Sequence, residues 1–362
     1  MTSSSALHAR VRAFVAGEGG DFDELGVDLA RHQAASCAPI GRLFAARGID
    51  PAALVEADAI PAVPTDAFKH ARIACHPPTD DVRIFHTSGT TLGARGAHPL
   101  RTLETYELVA LRHGEAMLVP DLAAVPFHAA VLTPNPARVA DSSLGFMCHA
   151  FARSFARTSS FHLDGDRLDV EGLRASVARA WREKSAVLVL ATSFALVHLL
   201  DELGGEGLAL PPRSRAMQTG GFKGKSREVD AVELREALAR AFELDPRAIV
   251  AEYGMTELAS QAYEGTVRAL LGLDGAAPPG VLVAPRWMRV TAVDPATLVP
   301  VPRGARGIAR VVDLANVDSA VAIQTQDEIA EVDGGFLLFG RMPGATPRGC
   351  SIAIDELLGE RR

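Results

Sequence analysis

Two short segments contain residue types and spacings suited to phosphate chemistry. The first, residues 86–96, reads His-Thr-Ser-Gly-Thr-Thr-Leu-Gly-Ala-Arg-Gly. Its glycines let the backbone approach an anion, and its hydroxyls add hydrogen-bond donors, as a chain of phosphates requires. It does not fit the Gly-x-x-x-x-Gly-Lys-Ser/Thr pattern of P-loop NTPases. The segment is therefore a candidate phosphate-binding loop of another kind, and an ordinary surface loop is the alternative.

The second segment, residues 251–257, reads Ala-Glu-Tyr-Gly-Met-Thr-Glu. At the end of a strand it would offer an aromatic face to a base, a hydroxyl to a phosphoryl oxygen and a carboxylate to Mg²⁺. A simpler interpretation is a strand-to-helix turn, in which Thr256 caps the helix and Glu257 interacts favourably with its N-terminus. The two interpretations are compatible, so the segment predicts a nucleotide and Mg²⁺ site.

Alternating strands and helices are predicted around both segments. A short apolar run precedes the first segment, and Thr102 can cap a helix that continues to about Leu118. Another strand, residues 248–252, leads into the second segment. This alternation favours an α/β fold with a largely parallel sheet.

Four regions are predicted along the chain from its patterning. They are residues 1–80, helical; 81–212, a first α/β subdomain with the phosphate loop; 213–277, a second α/β region with the Tyr-Gly segment; and 278–362, a small β-rich, barrel-like subdomain with the C-terminal segment.

Composition and charge narrow the possible functions. Apolar residues make up 48% of the sequence and charged residues 22%, as in ordinary globular proteins. The net charge of −7 leaves no basic excess for a nucleic-acid backbone, so no nucleic-acid partner is expected. The four cysteines lie far apart, which argues against a zinc site or a disulfide scaffold. The N-terminus lacks an apolar signal region and the most apolar stretch contains polar residues, so we expect a cytoplasmic protein without a membrane span.

Together the two segments resemble signatures of the acyl-adenylate-forming (ANL) superfamily. Residues 87–93 are similar to its Thr-Ser-Gly-Thr-Thr-Gly signature, with Leu92 inserted before the last glycine. Residues 253–257 are similar to its Tyr-Gly-x-Thr-Glu signature and follow in the same order. Gly220-Gly221 stands between them, where the adenine-contacting turn of that superfamily occurs.

Two later positions extend the resemblance. Thr325-Gln326-Asp327 resembles the ribose-binding Thr-Gly-Asp of the superfamily, with Gln326 in place of the glycine. Gly340-Arg341 resembles its Gly-Arg hinge. The expected fold is therefore the ANL large domain, with two βαβ-type sheet subdomains flanked by helices and a small β-rich subdomain.

The resemblance implies a role for each matching residue. Thr256 would hydrogen-bond the α-phosphate or the acyl carboxylate, and Glu257 would bind Mg²⁺. The residues expected to bind the nucleotide are Thr87, Ser88, Gly89, Thr90, Thr91, Gly93, Gly220, Gly221, Tyr253, Gly254, Met255, Asp327 and Arg341. The implied activity is use of ATP and Mg²⁺ to activate a carboxylic acid as an acyl-adenylate, with release of pyrophosphate.

A closer resemblance is to the LuxE-type acyl-protein synthetases. Only residues 342–362 follow the Gly-Arg pair, so the mobile C-terminal domain of most ANL enzymes is expected to be absent. Residues 219–225 and 348–351 also resemble that family. The resemblance implies a fatty acid substrate, transfer of the acyl group to Cys350, and delivery to a partner such as an acyl reductase.

Alternatives remain open at three points. Lys223 is a candidate catalytic cation, yet a lysine in a solvated loop is the commoner case. Cys350 is a candidate nucleophile, yet free cysteine is often a buried structural residue. The whole protein could instead be a stand-alone ligase of the phenylacetate-CoA type, with CoA or an amine as acceptor, or a nucleotide-binding subunit without catalytic activity.

Overall fold

The computed structural model describes residues 3–87, 95–165, 167–220, 230–342 and 348–359, with side chains in the last range from residue 352 onward. The chain divides into two compact units, each assembled from segments that are distant in sequence. Unit 1 comprises Met1–Ala110, Met255–Gln261 and Ala284–Arg362, and unit 2 comprises Leu111–Gly254 and Ala262–Val283.

The described helices are α1, Ser4–Ala16; α2, Phe22–Ser36; α3, Ala38–Ala46; α4, Glu104–Leu118; α5, Ser143–Phe155; α6, Val170–Glu183; α7, Ser193–Leu203; α8, Ala231–Phe242; α9, Thr266–Leu271; and α10, Arg348–Leu358. The described strands are β1, Val63–Pro64; β2, Arg83–His86; β3, Ala97–Leu100; β4, Phe127–Leu132; β5, Thr158–Phe161; β6, Leu163–Asp164; β7, Arg167–Leu168; β8, Ala186–Thr192; β9, Arg215–Thr219; β10, Ile249–Tyr253; β11, Ala262–Glu264; β12, Val281–Val283; β13, Met288–Val293; β14, Arg306–Asp313; β15, Ala322–Val332; and β16, Gly335–Arg341.

Unit 2 contains a mixed sheet with a parallel core. Its strands lie in the order β12-β11-β10-β9-β8-β4-β5, and those from β10 to β5 are parallel. Strands β11 and β12 are antiparallel to their neighbours. Every residue of β4 and β9 is buried, as expected for parallel strands covered on both faces. The core of the sheet thus has the parallel arrangement that the alternation of strands and helices predicted.

Helices α6, α7 and α8 cover this sheet through their apolar faces. Leu173, Leu196 and Phe242 are all buried in one cluster with the side chains of β8. Each of the three helices begins at a residue whose side chain accepts a backbone N–H bond from the first turn. The caps are Asp169, Thr192 and Asp230. Helix starts are therefore fixed locally, whereas helix positions are fixed by burial of the apolar face.

Unit 1 contains an antiparallel meander. Strands β13, β14, β15 and β16 pair in chain order, and β1 runs parallel to the first residues of β15. The predicted β-rich region is present, but within the described part of unit 1 these strands form a meander and not a closed barrel. A separate hairpin, β2 with β3, brackets the candidate phosphate loop.

Gln33 on α2 attaches the helical N-terminal part to the connection between β14 and β15. Its buried amide nitrogen donates to the carbonyl oxygens of Asn316 at 2.7 Å and Val317 at 3.0 Å. Its amide oxygen accepts the N–H of Val321 at 2.9 Å. The connection is thereby held against α2 by a side chain whose polar atoms are all used.

The described residues include no helix that is both long enough and apolar enough to cross a membrane.

Candidate active site

The second segment begins at the end of β10 in unit 2. Tyr253 is the last residue of that strand and is only 6% exposed, and Gly254 follows it. In sheets of parallel strands, ligands bind beyond the carboxyl ends of the strands, which is where these two residues stand. The remainder of the segment, from Met255 onward, belongs to unit 1.

Glu252 is a candidate site residue that the sequence reasoning missed. It lies opposite Thr219 in the parallel register of β9 and β10, and the Thr219 hydroxyl donates to its carboxylate. Burial raises the pKa of Glu252 to about 7, and the hydrogen bond from Thr219 opposes that rise. An acidic residue within the otherwise apolar strand Ile-Val-Ala-Glu-Tyr was the signal that could have identified it. A carboxyl that titrates near neutral pH therefore lies one residue before Tyr253.

Two buried side chains of unit 1 hold the backbone of Thr256 and Glu257. The Nδ1 atom of His98 lies 2.7 Å from the Thr256 carbonyl oxygen. The side-chain amide of Asn316 donates to the Glu257 carbonyl oxygen at 2.9 Å and to the Ala320 carbonyl oxygen at 3.0 Å. Successive carbonyls of the segment are thus bound by groups from two different elements.

Asp313, at the end of β14, holds the following residues. Its carboxylate accepts the N–H groups of Ala259 at 3.0 Å and Ser260 at 2.8 Å, and the Ser260 hydroxyl at 2.7 Å. It also accepts the N–H of Ala315 at 3.0 Å. Burial raises the pKa of Asp313, and these hydrogen bonds oppose the rise.

The helix proposed after Thr256 does not form, so that interpretation is wrong. If Thr256 capped a helix, its side chain would accept the N–H of Ala259 and its carbonyl would accept the N–H of Ser260. Here Asp313 accepts both N–H groups, and His98 binds the Thr256 carbonyl. The segment instead makes a turn and continues into β11.

His98 is electrically neutral at physiological pH. Its side chain lies in β3 with 1% exposure, and burial lowers its pKa to about 4. Because a carbonyl oxygen can only accept a hydrogen bond, the Nδ1 atom facing Thr256 must carry the proton. The ring also makes an edge contact with Phe68, with centroids 5.9 Å apart.

Glu257, the predicted Mg²⁺ ligand, is a buried residue. The residue is 7% exposed, and its backbone is fixed as described. Among the described residues there is no group of three or more histidine, cysteine or acidic side chains that could hold a metal ion alone. Magnesium at nucleotide sites usually takes one or two carboxylates together with phosphate oxygens and waters. The role of Glu257 as a Mg²⁺ ligand stays a prediction from the sequence.

The ends of the candidate phosphate loop are joined at its base. The N–H of Thr87 donates to the Gly96 carbonyl at 2.9 Å, and the Thr87 hydroxyl accepts the N–H of Gly96 at 2.9 Å. Arg95 donates through Nε to the Thr87 carbonyl at 2.6 Å. These contacts extend the β2–β3 ladder to the base of the loop. The predicted phosphate ligands Ser88, Gly89, Thr90, Thr91 and Gly93 lie outside the described residues.

Gly220 directly follows β9 with φ of +74°, a left-handed conformation that favours glycine. The predicted glycine turn would start from this residue. Gly221 and Lys223 lie outside the described residues.

A bulge in β16 sets the relation of Asp327 to Arg341. Register runs from Ile329 opposite Leu338 to Glu328 opposite Gly340, so one residue of β16 is extra. Gly340 has φ of +100°, which a glycine adopts readily. Because of the extra residue, Arg341 and not Gly340 lies opposite Asp327. Asp327 and Arg341 are thus cross-strand neighbours.

Gln326, which replaces the expected glycine, lies at a register irregularity between β15 and β14, because Ile308 pairs with Glu328 but Arg310 pairs with Gln324. Its side-chain amide donates to Asp66 Oδ2 at 2.8 Å, and its carbonyl accepts the N–H of Met342 at 2.9 Å. The side-chain bond ties this part of β15 to Asp66, just after β1.

Cys350 lies in the first turn of α10, upstream of the side chains that the structure describes. Later residues of α10 pack near α3: Arg42 Nε donates to the Leu357 carbonyl at 2.8 Å, and Arg47 pairs with Glu356 at 2.6 Å. The helix that carries Cys350 is therefore attached to the N-terminal helices of unit 1.

The other three cysteines are free thiols. Burial raises the pKa of all three, Cys37, Cys75 and Cys148, and in the case of Cys148 to about 12. Since the thiolate is the reactive form, these thiols are poor nucleophiles.

Solved structures with a similar fold include those of a CoA ligase. No protein-family model and no curated protein sequence matches the chain. A structure of 2-hydroxyisobutyryl-CoA ligase in an open conformation with 2-HIB-AMP and CoA superposes with a TM-score of 0.63 at 14% identity, covering 88% of this chain and 74% of that chain. The same ligase in the postadenylation state with 2-HIB-AMP gives a TM-score of 0.63, covering 88% and 68%.

ATP-bound MatB from Rhodopseudomonas palustris gives a TM-score of 0.49 at 17% identity, and the chain spans about half, 49%, of its length. At these identities the ligase comparison shows the fold alone. That fold is a mixed α/β architecture, which the chain shares with the ligase over the matched part.

Proposed function

We propose that the protein uses ATP to convert a carboxylic acid into an acyl-adenylate. The observation that carries this proposal is the fixed position of Thr256 and Glu257 in the backbone. They follow the Tyr-Gly end of β10, and buried side chains fix their two carbonyls. The fold similarity to a ligase crystallised with 2-HIB-AMP supports the proposal independently of the motif.

The reaction forms one bond and breaks another at the α-phosphorus of ATP. A carboxylate oxygen of the acid attacks the α-phosphorus, and the bond to the pyrophosphate oxygen breaks, giving acyl-adenylate and pyrophosphate. The Thr256 hydroxyl donates to an oxygen on the α-phosphorus, where negative charge increases in the transition state. Glu257 would hold Mg²⁺, which supplies positive charge to the departing pyrophosphate. Lys223 would add a further cation from the loop after Gly220.

Roles for the nucleotide contacts follow from the same proposal. The loop from Thr87 to Gly93 would bind the β and γ phosphates, and Gly220 and Tyr253 would contact the adenine. Asp327 and Arg341 would bind the ribose, and their cross-strand register supports a shared role.

We further propose that the acyl group passes to Cys350. Its thiolate would attack the acyl carbonyl, the bond to AMP would break, and a thioester and AMP would result. The raised pKa of Cys37, Cys75 and Cys148 supports this choice, because those thiols are seldom ionised. A fatty acid would be the substrate, and an acyl reductase or other acceptor protein would receive the thioester.

A second acceptor is favoured by one specific observation. The ligase of similar fold was crystallised with CoA as well as with 2-HIB-AMP. If CoA is the acceptor here, Cys350 is dispensable for turnover.

Acid-dependent exchange of labelled pyrophosphate into ATP tests the first step. We expect exchange with Mg²⁺ and at least one acid from a panel of short, long and aromatic carboxylates. Absence of exchange across the panel, with ATP still bound, would instead support a nucleotide-binding subunit without catalytic activity.

A labelling experiment identifies the acceptor. With radiolabelled fatty acid and ATP, wild type should acquire a label that neutral hydroxylamine releases, whereas Cys350→Ala should retain exchange and lose the label. A label that persists in Cys350→Ala would assign another cysteine. Product formation with CoA but never a protein label would favour the CoA ligase.

A further inference from the structure

His98 reaches the catalytic segment from an element that no signature marks. It lies in β3, beyond the candidate phosphate loop, and is separated from Thr256 by 158 residues. The described contact between them joins the imidazole Nδ1 to the Thr256 carbonyl oxygen at 2.7 Å, within an almost fully buried environment. A neutral histidine has one N–H donor. Because His98 donates it to a backbone carbonyl, the residue constrains that backbone.

The other ring nitrogen is also informative. Nε2 of His98 is buried and has no hydrogen-bond partner among the described residues. His98 lines a cavity of about 10 Å³ together with Arg101, Thr105 and Asp318. That volume is close to the space one water needs, and the lining offers several polar groups. A buried water would satisfy Nε2, so the ring can keep its proton on Nδ1.

We propose that His98 is a positioning residue for adenylation, which orients the Thr256 hydroxyl and the Glu257 carboxylate through its bond to the peptide group that joins them. The inference rests on the proposed function of those two side chains. The Thr256 carbonyl belongs to the peptide between them, so its direction sets ψ of Thr256 and φ of Glu257. Asn316 holds the next carbonyl, and without His98 the intervening peptide would be free to rotate.

The orientation of Thr256 and Glu257 should affect the rate of adenylation more than the binding of ATP. A displacement of about 1 Å at a catalytic group can cost roughly 100-fold in rate, even when the altered residue lies away from the chemistry. His98 has no contact with a predicted adenine or ribose ligand among the described side chains. Its loss should therefore lower kcat for pyrophosphate exchange and leave KM for ATP nearly unchanged.

Three substitutions separate positioning from packing. In His98→Asn the side-chain amide nitrogen can take the place of Nδ1, whereas in His98→Gln it extends toward the position of Nε2. His98→Leu fills space without any donor. We expect kcat for exchange to fall about 30-fold in His98→Leu and His98→Gln, with KM for ATP within about threefold of wild type, and to recover to within about fivefold in His98→Asn.

Results of three kinds would overturn the inference. If His98→Leu keeps kcat within twofold of wild type, the contact does not position the segment. If Asn and Gln variants lose activity equally while their unfolding midpoints fall together, the role is packing alone. If wild type shows no exchange, the proposed function itself fails. If exchange persists undiminished in every His98 variant, only the positioning role fails.

A measurement on wild type avoids any doubt about variant folding. Nitrogen-15 NMR of histidine-labelled protein should show one buried histidine in the Nδ1–H tautomer from pH 6 to 8, assigned by its loss in His98→Asn. An Nε2–H tautomer for that signal would contradict the bond to Thr256 and with it the inference.

Discussion

Two buried carboxyl groups, Asp313 and Glu252, differ in the hydrogen bonds that they accept. Asp313, in unit 1, accepts four hydrogen bonds, three of them from backbone N–H groups. Glu252, in unit 2, accepts one described bond, from the Thr219 hydroxyl. Burial raises the pKa of both, and for Glu252 the result is about 7. The difference lies in what the two groups hold: Asp313 fixes three backbone N–H groups, whereas Glu252 accepts no backbone N–H group among the described residues.

The largest expected effect is on stability, from Asp313→Ala. Removal of the carboxylate leaves the N–H groups of Ala259, Ser260 and Ala315 buried without an acceptor, at about 1–3 kcal/mol each. We expect a loss of roughly 3 kcal/mol or more in the free energy of unfolding, measured by urea titration. Asp333→Ala is the control, because that side chain is fully exposed. If Asp313→Ala were as stable as Asp333→Ala, the hydrogen bonds to Asp313 would not stabilise the fold, and Asp313 would not differ from Glu252 in this respect.

Glu252 should make stability depend on pH in the opposite sense to an ordinary paired carboxylate. Folding raises its pKa from about 4.5 to about 7, so the folded state binds the proton more tightly. Its contribution is present below pH 4.5 and is lost as pH rises through 7, a change of about 3 kcal/mol.

Glu252→Gln isolates this contribution. The variant should gain stability relative to wild type between pH 5 and pH 8.5, as followed by urea unfolding at each pH. A constant difference between variant and wild type over that range would show that Glu252 does not titrate there.

Glu257→Gln should affect chemistry and not folding, unlike Asp313→Ala. A neutral amide is a far weaker Mg²⁺ ligand than a carboxylate, so pyrophosphate exchange should fall about 100-fold, or ~2.7 kcal/mol in the activation free energy. The unfolding midpoint should stay close to that of wild type. Glu236→Gln, on the exposed face of α8, is the matched control. Full activity in Glu257→Gln would place the metal elsewhere.

The smallest expected effect is from Asp327→Ala. Ribose contacts are remote from the reacting bond and are largely retained in the transition state, so KM for ATP should rise about tenfold with kcat nearly unchanged. Steady-state exchange kinetics at varied ATP measure both constants. A fall in kcat alone would contradict the ribose assignment.

The sequence predicted the strands that precede the signatures but not the side chains that hold the second signature. The signatures fall at the ends of β2, β9 and β10, as local patterning predicted. Hydrophobic runs identify such strands because burial on both faces demands apolar side chains. The bulge that places Arg341 opposite Asp327 could be suspected only from Gly340.

The supporting residues could not be predicted for a physical reason. His98 and Asn316 bind backbone carbonyls that are 158 and 59 residues away along the chain. Any residue type presents the same carbonyl, so no sequence pattern marks the partner. The wrong helix after Thr256 has the same origin, since Asp313 takes N–H groups that a helix would have used.

The central claim is that an acyl-adenylate forms, and oxygen transfer tests it most directly. The protein would be given ATP, Mg²⁺, hydroxylamine as acceptor, and a fatty acid whose carboxylate carries ¹⁸O. Attack of the carboxylate on the α-phosphorus, followed by cleavage of the mixed anhydride at its acyl carbon, predicts one ¹⁸O atom in each AMP formed. Recovery of ¹⁸O in inorganic phosphate with ADP, or of AMP without ¹⁸O, would contradict the claim.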